Sequence, residues 1–184
     1  MSNAPDSPIQ LDGQLLLADP SLRDGIFHKS VVFLSEHNLE DGAYGLILNH
    51  PTEQTVGDLL PSNEFQELNN IRVYLGGPIG QEHLTFAAFT STQKQVRLKT
   101  RIPASEAIKR SQQPGTLIRA FAGYSGWSSG QLENELRHNS WISTNANQEL
   151  LSLDHDKNLW GRLLRGISPY HQILAEAPDD IFSN

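Results

Sequence analysis

The sequence predicts a single α+β domain, and three observations carry that prediction. Short apolar runs bounded by Gly, Pro, Asn or Asp succeed one another through the first two thirds of the chain, as buried strands do. Helix-start signals cluster in the last third. The regular strand–helix alternation of a doubly wound fold is missing, so strands in series followed by helices point to a largely antiparallel or mixed sheet.

In chain order, residues 13–18 (GQLLLA), 30–34 (SVVFL), 43–49 (AYGLILN) and 71–75 (IRVYL) are the first strands, followed by 84–90 (LTFAAFT). Residues 95–102 alternate, with Val96, Leu98 and Ile102 facing one way and Arg97, Lys99 and Arg101 the other. Period two with one charged face is a half-exposed strand whose cations discourage edge pairing. A further strand runs over 116–124 (TLIRAFAGY). Thr55 caps a short turn through Leu60 that Pro61 ends. Residues 103–113 form a helix that stops at Pro114-Gly115. Ser128-x-x-Gln131 is a capping box, with Leu132 and Leu136 on one face of the helix it starts. Asn145 with Gln148 opens another helix before Leu150 and Leu151. Asp156 caps the last, with Leu159, Trp160, Leu163 and Leu164 inward and Gly166 just past its end.

The 184 residues suit one domain, and a net charge of −7 gives no general attraction for phosphate backbones or anionic membranes. Cysteine is absent, which removes disulfides, thiolate nucleophiles and cysteine-ligated metals and fits a reducing compartment. Residues 1–10 are polar, lack the basic start and apolar core of a signal peptide, and read as a flexible segment ahead of one domain over 11–184. No apolar run approaches the roughly 20 residues that cross a bilayer. The expected location is cytoplasmic.

Gly126-Trp127-Ser128-Ser129-Gly130 matches the nucleophile elbow G-x-S-x-G, with Asp154, His155, Asp156 and His171 downstream in a suitable order. The parallel sheet that presents an elbow is not predicted, and Gly76-Gly77-Pro78 offers no amide at its third position for an oxyanion loop. A helix cap explains Ser128 alone, and is worth about 1 kcal/mol. The serine hydrolase is therefore the alternative reading.

The same region is part of a longer ordered series. Phe27-x-x-Ser30-Val31-Val32 leads to Glu36-His37, Gly42-Ala43-x-Gly45 and Asn49-x-Pro51. Then come Val73-Tyr74-x-Gly76-Gly77-Pro78, Gly123-Tyr124-Ser125-Gly126-Trp127, Gly130-Gln131-Leu132-Glu133-x-Glu135 and Trp141. This set resembles the AlgH/YqgE family of small bacterial proteins, from about Leu11 to near Gly166. The resemblance implies a mixed α+β domain in which a bifurcated sheet with a small barrel is surrounded by helices. It implies no established activity or ligand, although some members are labelled transcriptional regulators. His50 stands where the family usually has Arg, Ala87-Ala88-Phe89 replaces its usual Leu-His after the Gly-Gly-Pro block, and Ser129 stands where it has Pro.

Glu36-His37 reads either as a polar pair at a pocket mouth or as a backbone-bonded strand end. Asn49 either presents its amide to a ligand or shapes a turn before Pro51. Gly76 and Gly77 either expose amides to an anion or form a tight turn. Tyr124 and Trp127, followed by Gln131 and Glu133, are the densest cluster: amphipathic rings ahead of a helix start whose amides suit an anionic or carbonyl group. Alternatively, Trp127 is core and Glu133 pairs with Arg137 on the surface. The expected pocket sets Tyr124, Trp127, Gln131 and Glu133 against Glu36, His37 and Asn49. No H-E-x-x-H occurs and the histidines are scattered, so neither metal nor cofactor is expected. Lys94, Arg97, Lys99, Arg101, Lys109 and Arg110 face only Glu106. With no helix-turn-helix pattern, they read as a solvated edge, and direct DNA binding is a further alternative. The leading expectation is a non-enzymatic domain that binds a small ligand or a protein partner and acts in regulation.

Overall fold

A computed structural model describes residues 10–23, 25–92, 96–151 and 158–178. It contains one nine-stranded sheet among those residues. The strands are β1 (Gln14–Ala18), β2 (Val31–Asn38), β3 (Gly42–Ile47), β4 (Pro51–Thr55), β5 (Arg72–Leu75), β6 (Ile79–Ser91), β7 (Val96–Ile102), β8 (Thr116–Trp127) and β9 (Trp141–Asn145). The helices are α1 (Val56–Leu59), α2 (Ala104–Ser111), α3 (Gln131–Arg137), α4 (Leu159–Arg165) and α5 (Pro169–Glu176). Every predicted strand is present. The spatial order is β4-β5-β8-β3-β2-β1-β9, with β6 joining β8 and β7 joining β6. Among the described residues only the β5–β8 pair is parallel.

The long strand β8 divides the sheet. Its residues 120–122 pair with β5, its last three pair with β3, and β6 runs beside most of its length. The expected small barrel is not formed. Strands β7 and β2 approach each other, but they are joined by side chains: Ser35 Oγ and Thr100 Oγ1 share a hydrogen bond of 2.7 Å, and Arg101 reaches Glu36. No backbone ladder joins these two strands among the described residues.

Strict period-two alternation explains the unbroken apolar runs. In β1, Leu15 and Leu17 point into one core and Leu16 and Ala18 into another; in β2, Val31 and Phe33 oppose Val32 and Leu34 in the same way. These strands are buried on both faces, which reads as continuous hydrophobicity. Helix α4 seals the first core with Leu159, Trp160, Leu163 and Leu164, as its spacing predicts. Helix α3 covers the second with Leu132, and α2 covers a third core around Phe86, Ile118 and Ala107.

Four details differ from the sequence reading. Strand β9 lies between α3 and α4 and pairs with β1, so the late part of the chain supplies a sheet edge. Pro51 opens the edge strand β4 instead of ending a turn, a place where a missing N–H does no harm. The segment after Asn147 makes only a short 3-10 turn, Gln148–Leu151. Gly130, with φ of 73°, is the N-cap of α3, so Ser128 is not its cap. The predicted Asp156 cap lies outside the described residues.

Candidate functional site

Strand β2 does not end at Leu34. A register shift at Ser35 carries it on to Asn38, so Glu36 faces Tyr44 and His37 faces Ala43 across the β2–β3 pair. Strand β8 likewise runs past Tyr124 to Trp127. Between these two strand ends lies an open cleft of about 770 Å³, with Tyr44, Tyr124 and Trp127 on its walls and Asp12, Asp41 and Ile79 at its margins. A cavity of about 270 Å³ adjoins it and shares Tyr44, Arg101 and Tyr124.

Irregularities in three strands meet here. Besides the shift at Ser35, residues 80–83 bulge out of β6, and one extra residue near Arg101 breaks the β6–β7 register. Bulges re-aim side chains and are common beside functional sites. Arg101 has φ of +53°, a region that side chains other than glycine's occupy at a cost. That geometry lays its guanidinium over Tyr44, 3.7 Å from the ring centre, with Nη1 donating to Glu36 Oε1 at 2.8 Å. Tyr124 lies against Tyr44 with ring centres 5.1 Å apart. Burial raises the Tyr44 hydroxyl above its ordinary value of 10.0, and the Arg101 side chain opposes that shift. Tyr44 therefore remains a neutral phenol.

His37 sits behind this wall with its side chain 3% exposed. Its Nδ1 accepts the Leu11 N–H at 3.3 Å, which assigns the ring hydrogen to Nε2. That atom donates to Glu133 Oε1 at 2.6 Å. The imidazole thus latches the N-terminal segment and α3 to β2. Glu133 is engaged there and not by Arg137, whose guanidinium donates instead to Asn134.

A profile of the AlgH-like family matches residues 15–171. The chain belongs to the AlgH-like family. A UPF0301 protein of Cytophaga hutchinsonii is 34% identical over 181 residues, covering 91% of this chain and 96% of its own. One from Shewanella loihica is 36% identical over 160 residues, covering 79% and 85%. The solution structure of the AlgH protein from Pseudomonas aeruginosa superposes with a TM-score of 0.64 at 27% identity, covering 97% of this chain and 99% of that one. A crystal structure of a Corynebacterium diphtheriae protein gives 0.72 at 22% identity, covering 92% and 93%, and shows the same fold.

The sequence blocks that suggested the AlgH-like family divide between the cleft and the joints of the sheet. Glu36, His37, Tyr124 and Trp127 line the cleft. Glu133 joins it through His37, and Gln131 through Ser128. Asn49 lies elsewhere: its Oδ1 accepts the Val31 N–H at 2.8 Å and its Nδ2 donates to the Lys29 carbonyl at 2.9 Å. Both halves of that buried amide are committed to backbone. Gly76 and Gly77 mark a strand junction, where Gly76 O accepts from Ile47 N–H and Ser125 Oγ. A Cβ on Gly77 would stand 2.1 Å from the Tyr124 carbonyl. Close backbone approach requires glycine there.

Ser128 Oγ donates to Gln131 Oε1 at 3.2 Å, and the same oxygen accepts the Ser128 N–H at 3.0 Å. The carboxamide therefore takes up the Ser128 amide and hydroxyl just ahead of α3. Of the elbow's proposed partners, Asp154, His155 and Asp156 lie outside the described residues, and His171 bonds Ser168. The sequence places Arg101 only on a solvated basic edge and Glu135 only within the α3 block, and it does not single out Tyr44. Glu135 accepts from the indoles of both Trp127 and Trp141, at 2.8 and 2.7 Å. The spacing Trp127-x7-Glu135 across a strand–helix junction carries no local signal; only the fold brings it together.

Proposed function

We propose that this protein is a cytoplasmic binding domain without catalytic turnover, and that the cleft between β2 and β8 takes a small ligand or a segment of a protein partner in a regulatory role. The observation that carries this reading is the meeting of three strand irregularities around Tyr44, Tyr124 and Arg101 at the wall of an open cleft. The polar groups nearest the cleft favour recognition over reaction. Ser128 donates to a carboxamide, and both ring nitrogens of His37 are already bonded, so neither forms the nucleophile–base pair that acyl transfer needs. The DNA-binding alternative is weakened because Lys99 and Arg110 are taken by Glu106, and Arg101 by Glu36. Lys94 lies outside the described residues.

The test is a heteronuclear NMR titration of the labelled protein with small acids, amines and phenols in turn. At least one probe is expected to move the amides of residues 35–44 and 124–128, and Tyr124→Ala is expected to abolish that response. A complete set of probes leaving those amides unmoved would refute the cleft as a binding site.

A further inference from the structure

The binding reading leaves open the sign and kind of occupant, and the cleft's side chains decide both. We propose that it docks a basic segment of a protein partner, whose arginine or lysine enters between the carboxylates while a neighbouring aliphatic residue rests on Ile79. This inference rests on the binding function proposed above.

Charge is the first argument. Asp12, Glu36 and Asp41 line the cleft against a single cation, Arg101, which is already paired with Glu36. A carboxylate or phosphate ligand would meet an excess of like charge, and the Ser128 amide at the cleft is already taken by Gln131 Oε1. The chain's net charge of −7 works in the same direction at longer range.

The second argument is the resident guanidinium. Arg101 is held by the Tyr44 ring and by the Glu36 carboxylate. This wall already binds the chemical group that the partner would bring, using an aromatic face and an acid, the two elements that recognise organic cations. Tyr124, half-buried beside Tyr44, extends the aromatic surface beyond the part Arg101 covers.

The third argument distinguishes a protein segment from a free amine. Ile79, on the cleft margin, is 41% exposed, and Leu39, in the β2–β3 turn next to Asp41, is 46% exposed. Aliphatic and acidic side chains side by side along the margin of an aromatic wall suit a peptide that alternates basic and apolar side chains.

The decisive experiment titrates the full chain with the blocked peptide Ile-Arg-Leu-Arg-Gly, its Ile-Glu-Leu-Glu-Gly counterpart, and agmatine as a free guanidinium. The arginine peptide is expected to shift amides in 35–44, 79–80 and 124–128, and to bind about tenfold more weakly to Asp12→Asn/Asp41→Asn. Both aspartates are exposed, and the Arg101–Glu36 pair is left intact. A charge-matched control, Glu64→Gln/Glu67→Gln on a remote exposed turn, is expected to keep its affinity. Equal loss in both double variants, binding of the glutamate peptide as tight as that of the arginine peptide, or agmatine binding as tightly as the peptide would overturn the proposal. If an acid or a phenol moves the cleft amides and the arginine peptide does not, this partner is wrong and the binding site stands. If no probe moves them, both readings fall.

Discussion

Arg101 combines an unfavourable backbone with favourable side-chain contacts, and the two can be separated. Its φ of +53° costs an ordinary residue about 1 kcal/mol that glycine does not incur. Arg101→Ala keeps that cost and loses the ring contact and the exposed ion pair, while Arg101→Gly loses the contacts and relieves the backbone. Urea unfolding is expected to show the glycine variant about 1 kcal/mol more stable than the alanine variant. Equal stabilities would mean that the bulge relaxes once the side chain is removed. His50 permits a second test at this scale. Burial lowers its pKa below the ordinary 6.5, and this outweighs the opposing hydrogen bond with the His28 backbone. The unfolded chain therefore binds a proton that the folded chain refuses between the lowered value and 6.5. Stability is full above that window and falls as pH drops through it. The urea midpoint should decline on acidification from about pH 6.5, and His50→Gln should flatten that decline.

Among the elements, α3 depends on one carboxylate. Glu135 accepts from two nearly buried indoles and, through Oε1, from Gln131 Nε2 at 3.0 Å. Removing it orphans two N–H groups, so Glu135→Ala is expected to cost about 2–4 kcal/mol, and Glu135→Gln less, because the amide oxygen still accepts. Thermal unfolding that moves by less than about 2 °C for the alanine variant would show that water replaces the carboxylate. The same helix shows what sequence conveys. Leu132 and Leu136 were legible because their spacing repeats along one helix, and α4 was legible for the same reason. The predicted β-strands other than β7 were legible because burial on both faces leaves an apolar run, and β7 because its charged face alternates with an apolar one. Strand β4 (PTEQT) and strand β9 (WISTN) were not, since a sheet edge needs few apolar residues and leaves a polar, loop-like sequence. The polar end of β2 was hidden for a related reason: Glu36 to Asn38 pair with β3 at the edge of the cleft. Half of the candidate site was thus readable as residue types, but Arg101 and Tyr44 were not. Their contact depends on a bulge in β7 meeting β3 across the fold, and no spacing within the chain encodes it.

At the scale of the whole molecule, the open seam between β7 and β2 determines what the cleft can do. A closed barrel would fix Arg101 and Glu36 by backbone ladders on both sides. Among the described residues β7 is held by β6 on one side only, and the Ser35–Thr100 hydrogen bond and the Arg101–Glu36 pair link it to β2. Both links are polar and partly exposed, so each contributes little. The wall of the cleft can then shift without unfolding the three cores beneath it, which suits a site that must admit an occupant. Hydrogen exchange tests this directly. Amides of β8 at residues 120–122, paired on both edges, should exchange slowly and nearly uniformly. Those of β7 should alternate, slow where they bond to β6 and fast where they face β2. Uniform protection along β7 would mean that a ladder to β2 forms in solution, and the cleft wall would then be rigid instead of adjustable.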